Sequence, residues 1–182
     1  MQTQTNIATL KTISYDELRS INFSILTIFT SIQTNELNYV SSKSVMVVNQ
    51  IGIGSSINDL VRVFGKPDSI TEEFDLIVDE TPTQYYHYKN TYFELKEGDV
   101  TSFNLANELF SIVGLRAGDS EVKLSKKFPK SYSNKYYAGE DRSQLMVRVG
   151  LLTPNGLKSD AYYLVFYLDN NMISSINYWE NP

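Results

Sequence analysis

The feature that most constrains this chain is a pattern written twice. Gly54-Ser55-Ser56-Ile57-Asn58-Asp59-Leu60-Val61-Arg62-Val63-Phe64 aligns without gaps on Gly118-Asp119-Ser120-Glu121-Val122-Lys123-Leu124-Ser125-Lys126-Lys127-Phe128, in the shared frame G-x-S-x3-L-x3-F. Farther on, the stretch Phe93 to Asn104 aligns with Phe166 to Asn177, and the two blocks follow in the same order in both copies. Each copy joins a helix signal to a hairpin signal, and self-similarity on this scale points to a duplicated supersecondary unit. The helix signals lie 64 residues apart and the hairpin signals 73 apart, so the second copy carries about nine extra residues, which lengthen its strand ribbon over 145–168.

With 182 residues the chain suits one domain or two small ones. Units of roughly 60 to 75 residues bury too little surface to be secure alone, so the copies are expected to share an interface. A formal net charge of -5 argues against a nucleic-acid partner, because phosphate binding relies on clustered cations. There is no cysteine, which removes disulfides, thiolate metal sites and cysteine nucleophiles. The longest apolar stretch, Ile25 to Ile32, is interrupted by Thr27, Thr30 and Ser31 and is too short to span a bilayer.

Local signals divide the chain. Ser14-Tyr15-Asp16-Glu17 is a capping box and predicts a helix start. Phe23 to Phe29 reads equally as the tail of a buried helix or as a strand. Ser41 to Ser44 reads as a linker before a short strand from Val45 to Val48. In the first copy Ser56 is the expected helix cap, Leu60 and Phe64 share one face, and Gly65 with Pro67 ends the helix. Strands are expected over 85–88, 92–96 and 100–105, with Glu97-Gly98 as the tight turn. In the second copy the cap falls at Asp119 or Ser120 and Pro129 stops the helix. Strands are expected over 145–152, 162–168 and 173–179, joined through Pro154-Asn155-Gly156 and Asn170-Asn171.

The helix opened by Gly54-Ser55-Ser56 and closed by Gly65-Lys66-Pro67, the Tyr-rich strand after it, and the hairpin Phe93-x-Leu95-x-x-Gly98-x-Val100-x-Ser102 form a recognisable series. It resembles the β-lactamase-inhibitor-protein-like fold, which includes SmpA/OmlA-type outer-membrane assembly lipoproteins. The resemblance covers roughly residues 45–182 and implies two helix-on-antiparallel-sheet units forming a concave surface. It implies fold rather than function. The chain departs from it in lacking the inhibitors' cysteines and the lipoproteins' lipidated cysteine, and in having Pro129-Lys130-Ser131 where the first copy has Gly-Lys-Pro. Met1-Gln2-Thr3-Gln4-Thr5-Asn6 resembles the mature ends of envelope proteins of Bacteroidetes cut before a Gln, which implies a periplasmic or secreted protein; an ordinary cytoplasmic start is the alternative.

Few residues offer chemistry. His87 is the single histidine, so a His-based metal cluster is impossible, and within Tyr85-Tyr86-His87-Tyr88 it reads first as a hydrogen-bonded strand residue. Gly52-Ile53-Gly54-Ser55-Ser56 could hold an anion at a helix start, but a plain cap turn explains it and no P-loop lysine follows. Glu72, Glu73, Asp75, Asp79 and Glu80 lack the Asp-x-Asp-x-Asp-Gly order of a Ca²⁺ loop and read as a solvated charged loop. Lys123, Lys126, Lys127 and Lys130 read as the wet face of the second helix.

Tyrosine says more. Strand alternation places Tyr162, Leu164, Phe166 and Leu168 on one face and Tyr163, Val165 and Tyr167 on the other. Phe93 and Leu95 align with Phe166 and Leu168, so these mark the core, and Tyr92, Tyr163 and Tyr167 point away from the helices. Two readings stand side by side: a protein-binding face, because tyrosine offers large contact area at low rotamer cost, or aromatic cover for the sheet.

The expected fold class is thus α+β, two tandem repeats of a helical layer on an antiparallel sheet. Residues 1–44 would form an N-terminal helical segment and linker, 45–106 the first repeat and 107–182 the second. The expected function is a non-catalytic protein-binding module without cofactor or metal, binding through Tyr92, Tyr163 and Tyr167. The alternative is a hydrolase or small-ligand site using His87 and the acidic loop.

Overall fold

The structure is a computed structural model, and it describes residues 36–47, 50–74, 81–138 and 144–180. The expected helix at Ser14 and the ambiguous segment Phe23 to Phe29 lie outside these residues, as do Asp75, Asp79 and Glu80. In chain order the strands are β1 (Tyr39–Ser41), β2 (Met46–Val47), β3 (Ile51–Gly52), β4 (Ser69–Glu73), β5 (Thr83–Tyr88), β6 (Thr91–Lys96), β7 (Asp99–Leu105), β8 (Ser111–Ile112), β9 (Leu115–Arg116), β10 (Tyr136–Ala138), β11 (Gln144–Leu152), β12 (Lys158–Asp169) and β13 (Met172–Glu180). The helices are α1 (Ile57–Phe64), α2 (Glu121–Lys127) and α3 (Pro129–Ser133). The fold is mixed α+β and dominated by sheet.

Each longer helix begins the same way. Ser56 Oγ accepts the Asp59 N–H at 3.2 Å, and Ser120 Oγ accepts the Lys123 N–H at 3.4 Å, each satisfying a donor that the first turn leaves free. Backbone bonds then tie each start to a hairpin. Gly54 N–H donates to Val100 O, Val100 N–H to Ser55 O and Ile57 N–H to Gly98 O, at 2.7, 2.9 and 2.8 Å. Gly118 N–H donates to Ile173 O, Ile173 N–H to Asp119 O and Glu121 N–H to Asn171 O, at 2.8, 2.8 and 2.9 Å. These donors are consumed, so the glycine-rich start of α1 is a cap turn.

The hairpins close where expected. Glu97 and Gly98 have φ of 53° and 87°, and Asn170 and Asn171 have 49° and 63°. Positive φ at both central residues is the turn that matches the twist of paired strands, and Gly and Asn tolerate it best. The larger sheet runs β1-β11-β12-β13-β7-β6-β5-β4, with β10 also paired to β11. At its centre β7 meets β13 through Phe103↔Tyr178, Asn104↔Asn177 and Leu105↔Ile176. The hairpin alignment matches Phe103 with Ile176 and Asn104 with Asn177, so in the frame of that alignment the pairing is symmetric about Asn104–Asn177. A second, small sheet runs β3-β2-β8-β9, with β2 and β8 paired at Val47↔Ile112.

Leu60, Leu124, Phe93, Phe166, Leu95, Leu168 and Phe128 are buried in one cluster. Phe64 is only half-buried and stacks on Phe93 with centroids 5.5 Å apart. Phe128 meets Phe166 at 5.8 Å. Both helices therefore lie on the Phe93/Phe166 side of the sheet.

The second helix stops before Pro129 as expected, with Phe128 as its C-cap; a further short helix, α3, then opens with Pro129 at its first position, where a missing N–H costs nothing. Other local expectations need correction. Glu72 and Glu73 lie on β4, an exposed edge strand, rather than in a loop. Ser41 to Ser44 is no linker: Ser41 ends β1, and residues 42–44 form a 3₁₀ turn.

The start of α3 is secured from far away in sequence. Asn38 Oδ1 accepts the N–H groups of Lys130 and Ser131 at 2.9 and 3.1 Å, and Ser131 Oγ accepts the Asn38 N–H at 2.9 Å. Asn38 O also receives the Gly150 N–H, which docks β1 alongside β11. Asn38→Ala is expected to cost about 1 to 2 kcal/mol, since it strips a remote cap from two helix donors. Urea unfolding checks this, and an unchanged midpoint would show that water replaces the cap without loss.

Candidate functional site: an aromatic sheet face

The site lies on the side of the sheet facing away from α1 and α2. Along β6, Thr91, Phe93 and Leu95 are buried while Tyr92, Glu94 and Lys96 are half-buried, so Tyr92 points to the side away from the helices. Along β12, Leu164, Phe166 and Leu168 enter the core, and Tyr163, Val165 and Tyr167 alternate with them. The three tyrosines singled out from sequence thus share one face, each half-buried. Val165, between two of them, is only 1% exposed. The face has an apolar layer of its own and is no bare polar surface.

The strand register shows what surrounds them. One row across the sheet reads His87, Tyr92, Asn104, Asn177, Val165 and Arg148. A second reads Tyr39, Gly150, Tyr163 and Trp179. Tyr163 and Trp179 rings are 6.4 Å apart. A β-carbon added at Gly150 would collide with the Tyr39 ring, so glycine is what lets that ring lie against the strand. The Lys158 ammonium sits 4.8 Å from the centroid of the same ring.

Arg148 occupies a built position in this layer. Its guanidinium is 5.0 Å from the Tyr136 ring centroid and 5.2 Å from that of Tyr163. Its Nε is buried and has no hydrogen-bond partner. No ion pair is formed by Arg148 among the described residues. Sequence reasoning missed Arg148, although alternation along residues 145–152 puts Met146, Arg148 and Gly150 on the face opposite Val147 and Val149.

Beside Tyr167 a polar hollow of about 530 Å³ is bordered by Asn104, Gln144, Asp169, Ser175 and Asn177. Asn177 Oδ1 is buried there without a hydrogen-bond partner. The opposite part of the face is acidic: Tyr85 donates to Glu73 at 3.0 Å, and Thr101 donates to Glu94 at 3.2 Å. Burial, then the neighbouring Glu94 and Tyr167, hold the Tyr92 hydroxyl above its ordinary pKa. Burial raises Tyr167 as well. Tyr136 is raised by burial, partly opposed by Arg148. All of these phenols are neutral donors at physiological pH.

His87 Nε2 is 2.9 Å from Thr71 Oγ1, and its ring lies 5.9 Å from that of Tyr92. No described carboxylate is hydrogen-bonded to it, and Asp75 of the acidic stretch lies outside the described residues. The lysines of α2 are exposed, and Lys123 pairs with Asp119 at 2.7 Å.

No protein-family model matches the chain. A search of curated proteins returns no match either. Among solved structures, the chain is similar to an extracellular protein containing an SCP domain from Bacillus anthracis str. Ames, with 14% identity and a TM-score of 0.44 over 78% of this chain and 48% of that one. It is similar to a cysteine-rich secretory protein from Staphylococcus aureus, with 14% identity and a TM-score of 0.42 over 80% of this chain and 50% of that one. It is also similar to a "putative beta-lactamase inhibitor protein" from Streptococcus mutans, with 15% identity and a TM-score of 0.29 over 86% and 96% of the two chains. The chain spans about half the length of the first two. No helix among the described residues is long and apolar enough to cross a membrane.

Proposed function

We propose that the chain is a non-catalytic protein-binding module of the bacterial envelope, periplasmic or secreted, acting as an inhibitor or an assembly factor through its aromatic sheet face. Residues 45–106 and 107–182 are read as tandem copies of a helix-on-sheet unit, following an N-terminal segment over 1–44. The matched hydrogen bonds at the two helix starts and the reciprocal seam at Asn104–Asn177 support the duplication. The observation that carries the function is the grouping of Tyr39, Tyr92, Tyr136, Tyr163, Tyr167, Trp179 and Arg148 on the sheet face turned away from α1 and α2. These residue types dominate the energetic centres of protein interfaces. The hydrolase alternative has less support: His87 meets a threonine and a tyrosine, and a third group to orient the imidazole is not among its described partners.

Affinity capture from envelope extract tests the proposal, with Tyr163→Ala/Tyr167→Ala as the comparison. Loss of two central aromatic anchors is expected to cost about 2 kcal/mol or more, roughly thirtyfold in affinity. The double variant should keep its circular dichroism spectrum, since both side chains lie outside the main core. A partner retained equally by both proteins would locate binding elsewhere, and an unfolded double variant would make these tyrosines structural.

A further inference from the structure

Resting on that reading, we infer that Arg148 is the anchor for a carboxylate of the partner, an Asp or Glu side chain presented to the outer edge of the guanidinium that the rings of Tyr136 and Tyr163 flank. A guanidinium has five N–H donors in a planar fork, and its best-matched acceptor is a carboxylate taken in bidentate fashion. Here the fork is held between two rings, and its Nε is withdrawn from water with nothing to accept its proton. A buried donor left unpaired costs free energy in the unbound protein. The side chain as a whole is half-buried, so its outer edge is where a carboxylate is received, by a charge-assisted bond in surroundings already short of water. Because the fork is already oriented by its two aromatic neighbours, little side-chain entropy is lost on binding.

Charge on the face narrows the occupant further. Arg148 and Lys158 lie toward the β10–β11–β1 edge, whereas Glu73 and Glu94 lie on β4 and β6. A polyanion such as a phosphorylated or nucleic-acid ligand would meet those carboxylates and a chain of net charge -5. A protein segment with a single acid at one end suits the arrangement, and a cation at its other end would face Glu73 or Glu94. The flanking Tyr39, Tyr136, Tyr163 and Trp179 supply the apolar contact that excludes water around the ion pair.

The test uses a display library of 15-residue peptides panned against the full chain, with the best binder then synthesised. Binders should carry Asp or Glu. Affinity should fall about tenfold or more with Arg148→Gln, and by a similar factor when the peptide's acid becomes its amide. Combining both changes should cost little beyond either one, the signature of two groups that act on each other. Arg148→Lys should retain part of the affinity, and thermal melting of both variants checks that each is folded. Binders lacking an acid, fully additive losses, or no binder at all would overturn the inference. Binders sensitive to Tyr163→Ala/Tyr167→Ala but indifferent to Arg148→Gln would overturn the anchor alone and leave the face as the binding surface. Binders indifferent to both sets would remove the face itself.

Discussion

Phe93→Ala is expected to destabilise the protein by about 3 to 5 kcal/mol, the cost of lost transfer free energy plus an unfilled cavity. Phe93 is fully buried and meets Phe64, Tyr88, Phe103 and Phe110 with centroid separations of 5.5 to 6.4 Å. A ring that joins so many others leaves a hole that small shifts cannot close. Phe166→Ala, at the aligned position, should cost a similar amount by removing the partner of Phe128. Tyr92→Ala, one residue away on the open face, should cost much less. Since total stability of a domain is on the order of 5 to 15 kcal/mol, either core change should be plain in urea unfolding. A loss under about 1 kcal/mol for Phe93→Ala would place the core elsewhere.

The second large effect is expected in alkali. Burial raises the Tyr88 hydroxyl to about 12, and burial with a hydrogen bond to Glu73 raises Tyr85 to about 12. Below the ordinary value of 10.0 both folded and unfolded chains keep these protons, so the stabilisation is fully present. Between there and about 12 the unfolded chain ionises first, and stability falls as pH rises. Tyr88 is 7% exposed and donates to Gly65 O at 3.1 Å. Its share of the loss is on the order of 2 to 3 kcal/mol. Far-UV circular dichroism should therefore collapse together with a rise in tyrosinate absorbance, and Tyr88→Phe should move that midpoint to higher pH. Tyrosines that ionise while the fold persists, or a Tyr88→Phe midpoint that does not move, would contradict this account.

The parts that were legible in sequence are those written in local chemistry. Ser56 and Ser120 announce their helices because a serine cap acts within three residues. Glu97-Gly98 and Asn170-Asn171 announce their hairpins because few residues tolerate positive φ. What stayed hidden depends on distant pairing. Tyr39–Ser41 is a strand only because β11 accepts it in parallel, and the cap of α3 comes from Asn38. Strand β4 carries acids and is exposed throughout, so nothing in its pattern separates it from a loop. Pro129 both stops and starts helices, and tertiary contact decides which. On the candidate face alternation alone places both the tyrosines and Arg148, but that the guanidinium lies against Tyr136 and Tyr163 follows only from the register of β10, β11 and β12 together.

The reciprocal register at Asn104 and Asn177 has a consequence for how such a molecule could arise. Two identical strands with the sequence of β7 would satisfy the same three pairs, each asparagine facing its twin across a two-fold axis. A single ancestral unit could then cover its open edge only by meeting another copy, at a rate and an occupancy set by concentration. Joining the two in one polypeptide makes that meeting intramolecular and independent of dilution. On the duplication proposed above, the halves would then be free to differ on either side of the axis, with Tyr92 on one side of the paired asparagines where Val165 stands on the other, and His87 where Arg148 stands.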